Sequence, residues 1–449
     1  MSGSTVSYSS GPQSIPYTVD AEALRSVGEQ SNEGSRSSFD ALRPADPFEF
    51  VGSDPANAQS SVAPGDSAPR FRSDGPNAEA YGLADQYPTC KGRSYIQDNR
   101  CRVGAFSHFD TLFPARTIAA SNEPSRLGRA AQEPVIRYTF AGEDRTLEQY
   151  LDRRPITGFL IAKGDTILVE RYQYGRSDAH RFASFSMAKT IVGLLIGVAI
   201  NEGAIRSIDD VAERYVSGLS GTEYGRTPIK ALLQMRSGAF FREDYGDTTS
   251  DIFTLARLTV EQDPAGSLAA VKLFNRRRAA PGEIFSYSSA DTVVLGLVLA
   301  AATRRTVSEY ASEMLWHALG AEADASWIID AQGQEITFAY VNAVLRDWAR
   351  LGLMLANNGS RSGRSVVPRD WLMASSANAI ETDSALLKYG YHVWLSADQK
   401  RFFLQGRYGQ AVLADPDTKL VLVQTALSSD DFMTLELATL WSAARSQLR

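Results

Sequence analysis

The chain has 449 residues, of which 44% are hydrophobic and 22% charged, and its formal net charge at pH 7 is −6. This composition is typical of a soluble globular protein and excludes collagen-like, wholly disordered and membrane-embedded chains. Charges of both signs are dispersed along the chain, so no nucleic-acid partner is expected. The longest apolar run, 191–200, is about half of the ~20 residues that cross a bilayer as a helix, so no membrane span is expected.

The N-terminus and the cysteines bear on the cellular compartment. Residues 1–16 lack the basic and apolar parts of a secretory signal, which predicts a cytoplasmic protein for the chain as written and a periplasmic or secreted one for a processed chain. Cys90 and Cys101 form either a local disulfide in an oxidising compartment or two free thiols in the cytosol, and the sequence leaves both open. The few histidines form no metal-ligand array, so neither a metal nor an organic cofactor is expected.

Three segments follow one another along the chain. Residues 1–85 are rich in Ser, Gly, Pro and Ala without a sustained period, which predicts a disordered or loosely packed N-terminal segment. In residues 86–134 aromatic and apolar residues return without long regular elements, as expected for an extension packed on a following domain. Residues 135–449 carry the regular patterns and are expected to form that domain.

The periodic patterns predict strands at both ends of this domain and helices in its middle. Lys163-Gly164-Asp165 divides a β-rich stretch at 158–172 and indicates a hairpin. The other predicted elements, in chain order, are helices at 187–201, 291–303, 307–319 and 341–357, strands at 391–395, 402–404, 410–414 and 419–425, and a helix from about Asp431. This order predicts an α/β (α+β) fold in which an antiparallel sheet is flanked by helices, with an inserted helical subdomain and a cleft between sheet and insertion.

The strongest chemical signal is Ser-Met-Ala-Lys at 186–189. Because Ser186 and Lys189 are three positions apart at the start of an apolar helix, their side chains lie on one face, one turn apart. A desolvated lysine can accept the hydroxyl proton and so activate the serine as a nucleophile. The alternative is an N-cap serine beside a lysine whose amine reaches the surface, but an unpaired amine inside an apolar helix costs several kcal/mol.

Two further elements follow this motif. The sequence Phe285-Ser-Tyr-Ser-Ser289 precedes a second apolar helix, and it holds a phenol, Tyr287, at the rim of the cleft. A positive lysine beside a tyrosine favours ionisation of the phenol, so Tyr287 is expected to share protons with the first motif. Leu404-Gln-Gly-Arg-Tyr408 begins a strand near the C-terminus, where glycine allows close approach to a substrate and a strand N–H can serve as an oxyanion donor. Each element alone is equally compatible with a purely structural role.

Together the three elements resemble the serine β-lactamase and penicillin-binding-protein superfamily, whose markers occur in the same order. The sequences SFSMAKT, PGEIFSYSSADTVVLGLVL and GRYGQAVLADP are most similar to the branch that contains 6-aminohexanoate-dimer hydrolases and carboxylesterases. The resemblance runs from about Tyr87 to the C-terminus. It implies a β-lactamase/transpeptidase-like fold, with residues 135–449 as the serine hydrolase domain.

The resemblance also implies a role for individual residues. Ser186 is the acylated nucleophile, Lys189 its base and Tyr287 the second proton-transfer group. The implied oxyanion donors are backbone N–H groups, those of Ser186 and Arg407. The implied substrate-binding residues are a loop tyrosine that hydrogen-bonds the substrate amide and two residues of the C-terminal strand: Tyr245, Gln405 and Gly406.

The chain also departs from the superfamily pattern. Where β-lactamases and DD-peptidases carry Lys-Thr-Gly, this chain has Leu404-Gln405-Gly406, and the lost charge-assisted hydrogen bond to a substrate carboxylate is worth about 1.5–3 kcal/mol. Arg407 replaces that charge if its side chain faces the cleft. Ser289 stands where many relatives have Asn, so a fixed role at that position is in doubt.

The sequence therefore predicts a serine hydrolase that cleaves small linear amides or esters through an acyl-enzyme. A DD-peptidase or β-lactamase acting on cell-wall peptides or β-lactams is the alternative enzyme, and a catalytically silent binding protein is the alternative of another class. The expected partner is a small-molecule substrate. Whether the chain forms a homodimer stays open.

Overall fold

A computed structural model of the protein describes residues 71–384 and 386–449. Most of the predicted N-terminal segment, residues 1–70, lies outside the described residues. The rest of it forms two short 3-10 turns, Ala78–Tyr81 and Leu83–Asp85, of which the first buries Ala78 and Tyr81. In the following extension Cys90 and Cys101, whose pairing the sequence left open, are joined by a disulfide.

The helices of the described residues, in chain order, are α1 (Ser94–Gln97), α2 (Asn99–Ser107), α3 (Phe109–Leu112), α4 (Leu147–Arg153), α5 (Met187–Asn201), α6 (Ile229–Leu233), α7 (Asp251–Thr259), α8 (Gly266–Leu273), α9 (Ser289–Thr303), α10 (Val307–Ala311), α11 (His317–Leu319), α12 (Leu345–Ala356), α13 (Arg369–Ala377) and α14 (Asp431–Gln447). The strands are β1 (Ala115–Ile118), β2 (Gly128–Arg129), β3 (Arg137–Phe140), β4 (Glu143–Thr146), β5 (Ile156–Lys163), β6 (Thr166–Tyr172), β7 (Arg181–Ala183), β8 (Ala325–Ile328), β9 (Val341–Val344), β10 (Ser360–Arg361), β11 (Arg364–Ser365), β12 (Ile380–Glu381), β13 (Leu387–Tyr389), β14 (Trp394–Ser396), β15 (Phe402–Gly406), β16 (Gln410–Asp415) and β17 (Leu420–Ala426).

A nine-stranded sheet in the order β12-β13-β14-β15-β16-β17-β5-β6-β2 forms the centre of the molecule. Its strands come from both ends of the domain, as the sequence predicts, and β17 pairs antiparallel with β5. The predicted hairpin is present: β5 and β6 pair antiparallel across a turn in which Gly164 has a φ of 57°, a conformation that glycine adopts without steric cost. Only the pair β2–β6, at one edge, is parallel.

The two faces of this sheet bury two different apolar cores, because alternate residues of each strand point to opposite sides. In β5, Leu160 and Ala162 face the larger core, which contains α5, α9 and α12. Phe159 and Ile161 of the same strand face the smaller core, which is covered by α4 and α14. The nucleophile helix α5 therefore lies on the larger-core side of the sheet.

The chain between β6 and β12 forms the helical insertion and contributes most of a second, four-stranded sheet in the order β1-β8-β9-β7. The prediction of one helix over 341–357 is wrong in its first turn, because residues 341–344 form strand β9 between β7 and β8. All four residues of β9 are buried, and an apolar run of this length does not by itself distinguish a buried strand from a helix. Between α10 and α11 the predicted helix over 307–319 contains a π turn, Ser312–Trp316.

Candidate active site

Ser186 lies at a sharp turn between strand β7 and helix α5. It is the N-cap of α5, and the preceding Phe185 adopts a left-handed conformation with a φ of 42°. The Ser184 hydroxyl donates to the Phe185 carbonyl oxygen at 2.9 Å and accepts from the Val341 N–H at 2.9 Å. This carbonyl belongs to the same peptide plane as the Ser186 N–H, so the Ser184 hydroxyl fixes the direction of that N–H.

Lys189 lies one turn into α5, as predicted, and is 1% exposed. Its ammonium donates to Ser186 Oγ at 3.1 Å and to the Phe338 carbonyl oxygen at 3.0 Å. Burial lowers the pKa of Lys189 to about 8, while the nearby Glu243 carboxylate acts in the opposite direction. A substantial fraction of the amine is therefore neutral near pH 8, with its lone pair within reach of the serine proton.

Tyr287 completes this cluster. Its phenol is hydrogen-bonded to Ser186, and Lys189 Nζ lies 4.9 Å from the centre of its ring. The expectation that lysine eases ionisation of the phenol is wrong: burial, and then the charge of Glu243, raise the pKa of Tyr287 well above its ordinary value. Tyr287 therefore stays protonated at neutral pH and is suited to donate a proton to a leaving group.

The loop that carries Tyr287 is held from both sides. The Ser286 N–H donates to the Met235 carbonyl oxygen at 2.8 Å, and the Ser288 hydroxyl accepts from the Asp291 N–H at 3.3 Å to cap α9. The Tyr287 ring is stacked on Trp394, with ring centres 5.8 Å apart. These contacts leave the phenol little freedom.

Glu243 is a buried carboxylate at this site whose importance the sequence did not reveal. It is 1% exposed and accepts from the Ser289 N–H at 2.5 Å, from the Ser289 hydroxyl at 2.8 Å and from the Tyr245 hydroxyl at 3.0 Å. Ser289, whose role was in doubt, thus fixes this carboxylate. The only signal in the sequence is a carboxylate two positions before Tyr245, and such a spacing is common in loops.

The third sequence element, residues 404–408 at the end of β15, lies against the turn that carries Ser186. A Cβ atom on Gly406 would lie 2.3 Å from the Ser184 carbonyl oxygen, so only glycine allows β15 to approach this closely. Gln405 is half-buried and pairs with Ala411 in the sheet. Arg407 follows at the end of the strand, which brings its backbone to the same side as the N-terminus of α5.

The Arg407 side chain is held between two aromatic rings. Its guanidinium carbon lies 4.4 Å from the centre of the Tyr245 ring and 4.9 Å from that of Tyr408. The cation therefore covers the ring of Tyr245. Burial, and then Glu243, raise the pKa of Tyr245, so its hydroxyl is a hydrogen-bond donor at neutral pH.

His392 lies close to the cluster but is not a base for it. Burial lowers its pKa to about 3, so the ring is neutral. Nδ1 lies 2.9 Å from the Leu233 carbonyl oxygen and must donate to it, which leaves Nε2 to accept from the Thr292 hydroxyl at 3.0 Å. Both ring nitrogens are thus occupied by structural hydrogen bonds.

Within residues 71–384 and 386–449 no group of three or more His, Cys, Asp or Glu side chains is arranged to hold a metal ion. None of the helices in these ranges is long and apolar enough to cross a membrane.

Comparison with known proteins identifies the family. The Beta-lactamase family model matches residues 144–438, which is more than half of the chain. The chain is 29% identical over 370 residues to the 6-aminohexanoate-dimer hydrolase of Paenarthrobacter ureafaciens, covering 79% of this chain and 92% of that protein.

Solved structures show the same fold. One is a Bacillus anthracis protein provisionally assigned as a 6-aminohexanoate-dimer hydrolase, with a TM-score of 0.68 and 20% identity over 78% of this chain and 98% of the other. Another is EstCE1, described as a hydrolase with promiscuous acyltransferase activity, with a TM-score of 0.52 and 16% identity over 66% of this chain and 95% of the other.

The chain belongs to the β-lactamase family. It is a β-lactamase-fold hydrolase, and its sequence is related to that of a 6-aminohexanoate-dimer hydrolase. The fold and the resemblance to the 6-aminohexanoate-dimer hydrolase branch, both predicted from the sequence, are confirmed.

Proposed function

We propose that the protein is a serine hydrolase that cleaves small linear amides or esters through an acyl-enzyme on Ser186. The observation that carries the proposal is the buried Lys189 amine, which has a pKa of about 8 and lies 3.1 Å from Ser186 Oγ. A lysine with a lowered pKa in contact with a serine at a helix N-terminus is suited to general-base activation of that serine.

In the proposed acylation step the neutral Lys189 amine takes the Ser186 proton while Oγ bonds to the substrate carbonyl carbon. The carbonyl oxygen becomes an oxyanion, which accepts hydrogen bonds from the N–H groups of Ser186 and Arg407. The tetrahedral intermediate then loses its amine or alcohol, which takes the Tyr287 proton, and Tyr287 is reprotonated by the Lys189 ammonium. In the deacylation step water attacks the acyl-enzyme while Lys189 takes its proton. The acid product then leaves, and Ser186 regains its proton.

Substrate binding is assigned to the residues around this cluster. The Tyr245 hydroxyl has one proton, which it donates to Glu243 in the free site; in the proposed complex it turns from Glu243 and donates to the substrate amide or ester. Gln405 and Gly406, at the end of β15, offer a strand edge along which a linear substrate can lie.

A second candidate is hydrolysis of β-lactams or cell-wall peptides, which the Arg407 cation beside Tyr245 favours. Against it, the strand has Gln405 where those enzymes use lysine. Turnover of nitrocefin at a rate comparable with that of a linear ester would make this candidate the better one.

The first test is hydrolysis of p-nitrophenyl butyrate by the purified full chain and by two variants. Ser186→Ala removes the proposed nucleophile and is expected to abolish turnover. Ser220→Ala removes an exposed hydroxyl away from the site and is the matched control. Mass spectrometry after treatment with a fluorophosphonate is expected to show one adduct, on Ser186. Turnover that survives in Ser186→Ala would refute the assignment.

The second test concerns the substrate. Linear amides, including 6-aminohexanoate oligomers, are compared with esters of the same acyl chain, because the related Paenarthrobacter protein is named for the 6-aminohexanoate dimer. Preference for the linear compounds over nitrocefin supports the proposal, and the reverse preference supports the second candidate.

A further inference from the structure

One of the two peptide groups assigned as oxyanion donors, Phe185–Ser186, is flanked by a strained residue, and a second strained residue directly follows the other donor, Arg407. Phe185, directly before Ser186, has a φ of 42°, and Tyr408, directly after Arg407, has a φ of 67°. Aromatic residues rarely adopt the left-handed region, because their Cβ atom crowds the backbone there, and such residues persist only where packing holds them. The packing around Phe185 therefore fixes the peptide that carries the Ser186 N–H, and the packing around Tyr408 fixes the turn that directly follows the Arg407 N–H.

Both strained side chains contact the same ring, Phe106 of helix α2. The ring centres of Phe106 and Phe185 are 4.9 Å apart, and those of Phe106 and Tyr408 are 5.3 Å apart. The Phe185 and Tyr408 rings also contact each other, with centres 5.2 Å apart. Phe106 thus completes a cluster of three rings, with Phe185 and Tyr408. This cluster connects the end of strand β15 to the turn that carries Ser186.

Helix α2 is anchored by a disulfide, by the loop that precedes it and by contacts of its Arg102 side chain. Cys101, on its first turns, is bonded to Cys90, and a Cβ atom on Gly104 would lie 2.3 Å from the Tyr87 carbonyl oxygen, so the preceding loop packs directly on the helix. Its Arg102 guanidinium lies 4.6 Å from the centre of the Tyr408 ring and donates to the Leu427 carbonyl oxygen at 3.1 Å. A second contact of the helix therefore fixes Tyr408.

We propose that Phe106 is a positioning residue of the oxyanion hole, acting through Phe185 and Tyr408, and that the disulfide-closed extension is in this way part of the catalytic framework. The extension precedes the residues that the Beta-lactamase family model matches. The inference rests on the proposed function, since the two N–H groups matter to the rate only if an oxyanion forms at Ser186.

The experiment compares Phe106→Ala with Leu440→Ala, a control that creates a cavity in the smaller core on the other face of the sheet. For Phe106→Ala, kcat for p-nitrophenyl butyrate is expected to fall at least tenfold with KM within twofold of the wild type. Inhibition by an alkyl boronic acid, a mimic of the tetrahedral intermediate, should weaken by a similar factor. Leu440→Ala should lower Tm and leave kcat within twofold. Phe106→Leu, which restores bulk, should recover most of the lost kcat.

Amide hydrogen exchange provides a readout that does not need turnover. In Phe106→Ala, peptides covering 184–188 and 405–409 are expected to exchange at least tenfold faster, and in Leu440→Ala at the wild-type rate. If wild-type protein shows no Ser186-dependent turnover but this exchange pattern holds, the proposed function fails and with it the catalytic part of the inference, while the ordering of the two peptides by Phe106 is supported. If exchange at both peptides and kcat stay within twofold of the wild type, the inference is overturned.

Should Phe106→Ala not fold, Ser184→Ala tests the same framework, because it removes the hydroxyl that anchors the Phe185 carbonyl. It is expected to lower kcat at unchanged KM and to speed exchange at 184–188 alone. Wild-type kcat and exchange in this variant would overturn the claim that the direction of the Ser186 N–H is set by its neighbours.

Discussion

Two of the buried cations, both on helices of the larger core, are held in opposite ways. Arg350 of α12 is 1% exposed, and its guanidinium pairs with Asp347 at 2.7 Å and Glu322 at 2.8 Å. Lys189 of α5 is equally buried, yet no carboxylate in the described part of the chain lies within ion-pair distance, and its partners are a hydroxyl and a peptide carbonyl. Burial is thus common to both, and the difference lies in whether the charge is compensated.

This difference separates a structural cation from a reactive one. A guanidinium that keeps its proton and is paired with carboxylates stabilises the packing of the helix that carries it. An amine without a carboxylate partner loses its proton more easily, because only the neutral form is tolerated in an apolar site. Substitutions at the two positions are expected to separate an effect on stability from an effect on catalysis.

Replacing each cation by methionine should separate the two roles. Lys189→Met removes the base and is expected to lower kcat/KM by about 10³-fold or more, with little loss of Tm. Arg350→Met leaves Asp347 buried without its partner and is expected to cost about 3–5 kcal/mol of stability, with kcat unchanged in the folded fraction. Steady-state kinetics and thermal unfolding of both variants give the answer. A Lys189→Met enzyme with near wild-type turnover would show that Lys189 is not the base.

Tyr287→Phe should have the next largest effect. Loss of the phenol removes the proton donor for the leaving group, and kcat is expected to fall about 10²-fold. The loss should be smaller for p-nitrophenyl esters than for amides, because nitrophenolate leaves without a proton. Equal losses for both substrates would show that the phenol serves another purpose.

Arg407 is a third cation, half-buried and stacked between rings rather than paired. Stacking uses the faces of the guanidinium and leaves its N–H edge for a carboxylate. Arg407→Met, which keeps the backbone N–H, is expected to lower kcat/KM for mono-p-nitrophenyl glutarate by about 10-fold or more, the usual scale for a charge-assisted hydrogen bond. Neutral p-nitrophenyl butyrate should be unaffected, and Arg407→Lys should recover part of the loss. A uniform loss on both esters would contradict charge recognition.

Glu243 should control the pH dependence rather than the maximal rate. Since neutral Lys189 is the active form, kcat/KM of the wild type is expected to rise with pH through about 8. The Glu243 carboxylate raises the pKa of Lys189, so Glu243→Gln should move this rise to lower pH. Asp244→Asn, which removes a charge at the exposed neighbour, should leave the profile in place. A shift of the rise to higher pH in Glu243→Gln would exclude this role.

The smallest effect is expected at the N-terminus. The composition of residues 2–70 predicts that their deletion leaves Tm nearly unchanged. Extending the deletion through Tyr81 should lower Tm, because the Tyr174 hydroxyl donates to the Pro76 carbonyl oxygen at 2.7 Å and its ring packs against Tyr81. Thermal unfolding of the two truncations side by side tests this. Equal Tm values would show that the contacts to Tyr174 contribute little.

The parts of the fold that the sequence predicted well are those governed by local pattern. The hairpin at 158–172 and the helix Met187–Asn201 are both present, because turn chemistry and period act over a few residues. Strand β9 was misread as helix, because a short apolar run carries no period and its pairing partners are distant in the chain. The disulfide stayed open for a different reason: its formation depends on compartment and packing.

Helical spacing alone brings Ser186 and Lys189 together, since three residues in a helix make almost one turn, and the apolar pattern of the helix predicts that the amine is buried. Three features appear only in the folded protein: within residues 71–384 and 386–449 no carboxylate forms an ion pair with the amine, Glu243 is buried beside Ser289 and Tyr245, and Phe106 packs on Phe185 and Tyr408. The physical reason is that local geometry follows from backbone spacing, whereas charge compensation and ring packing depend on segments far apart in the chain that meet only in the folded protein.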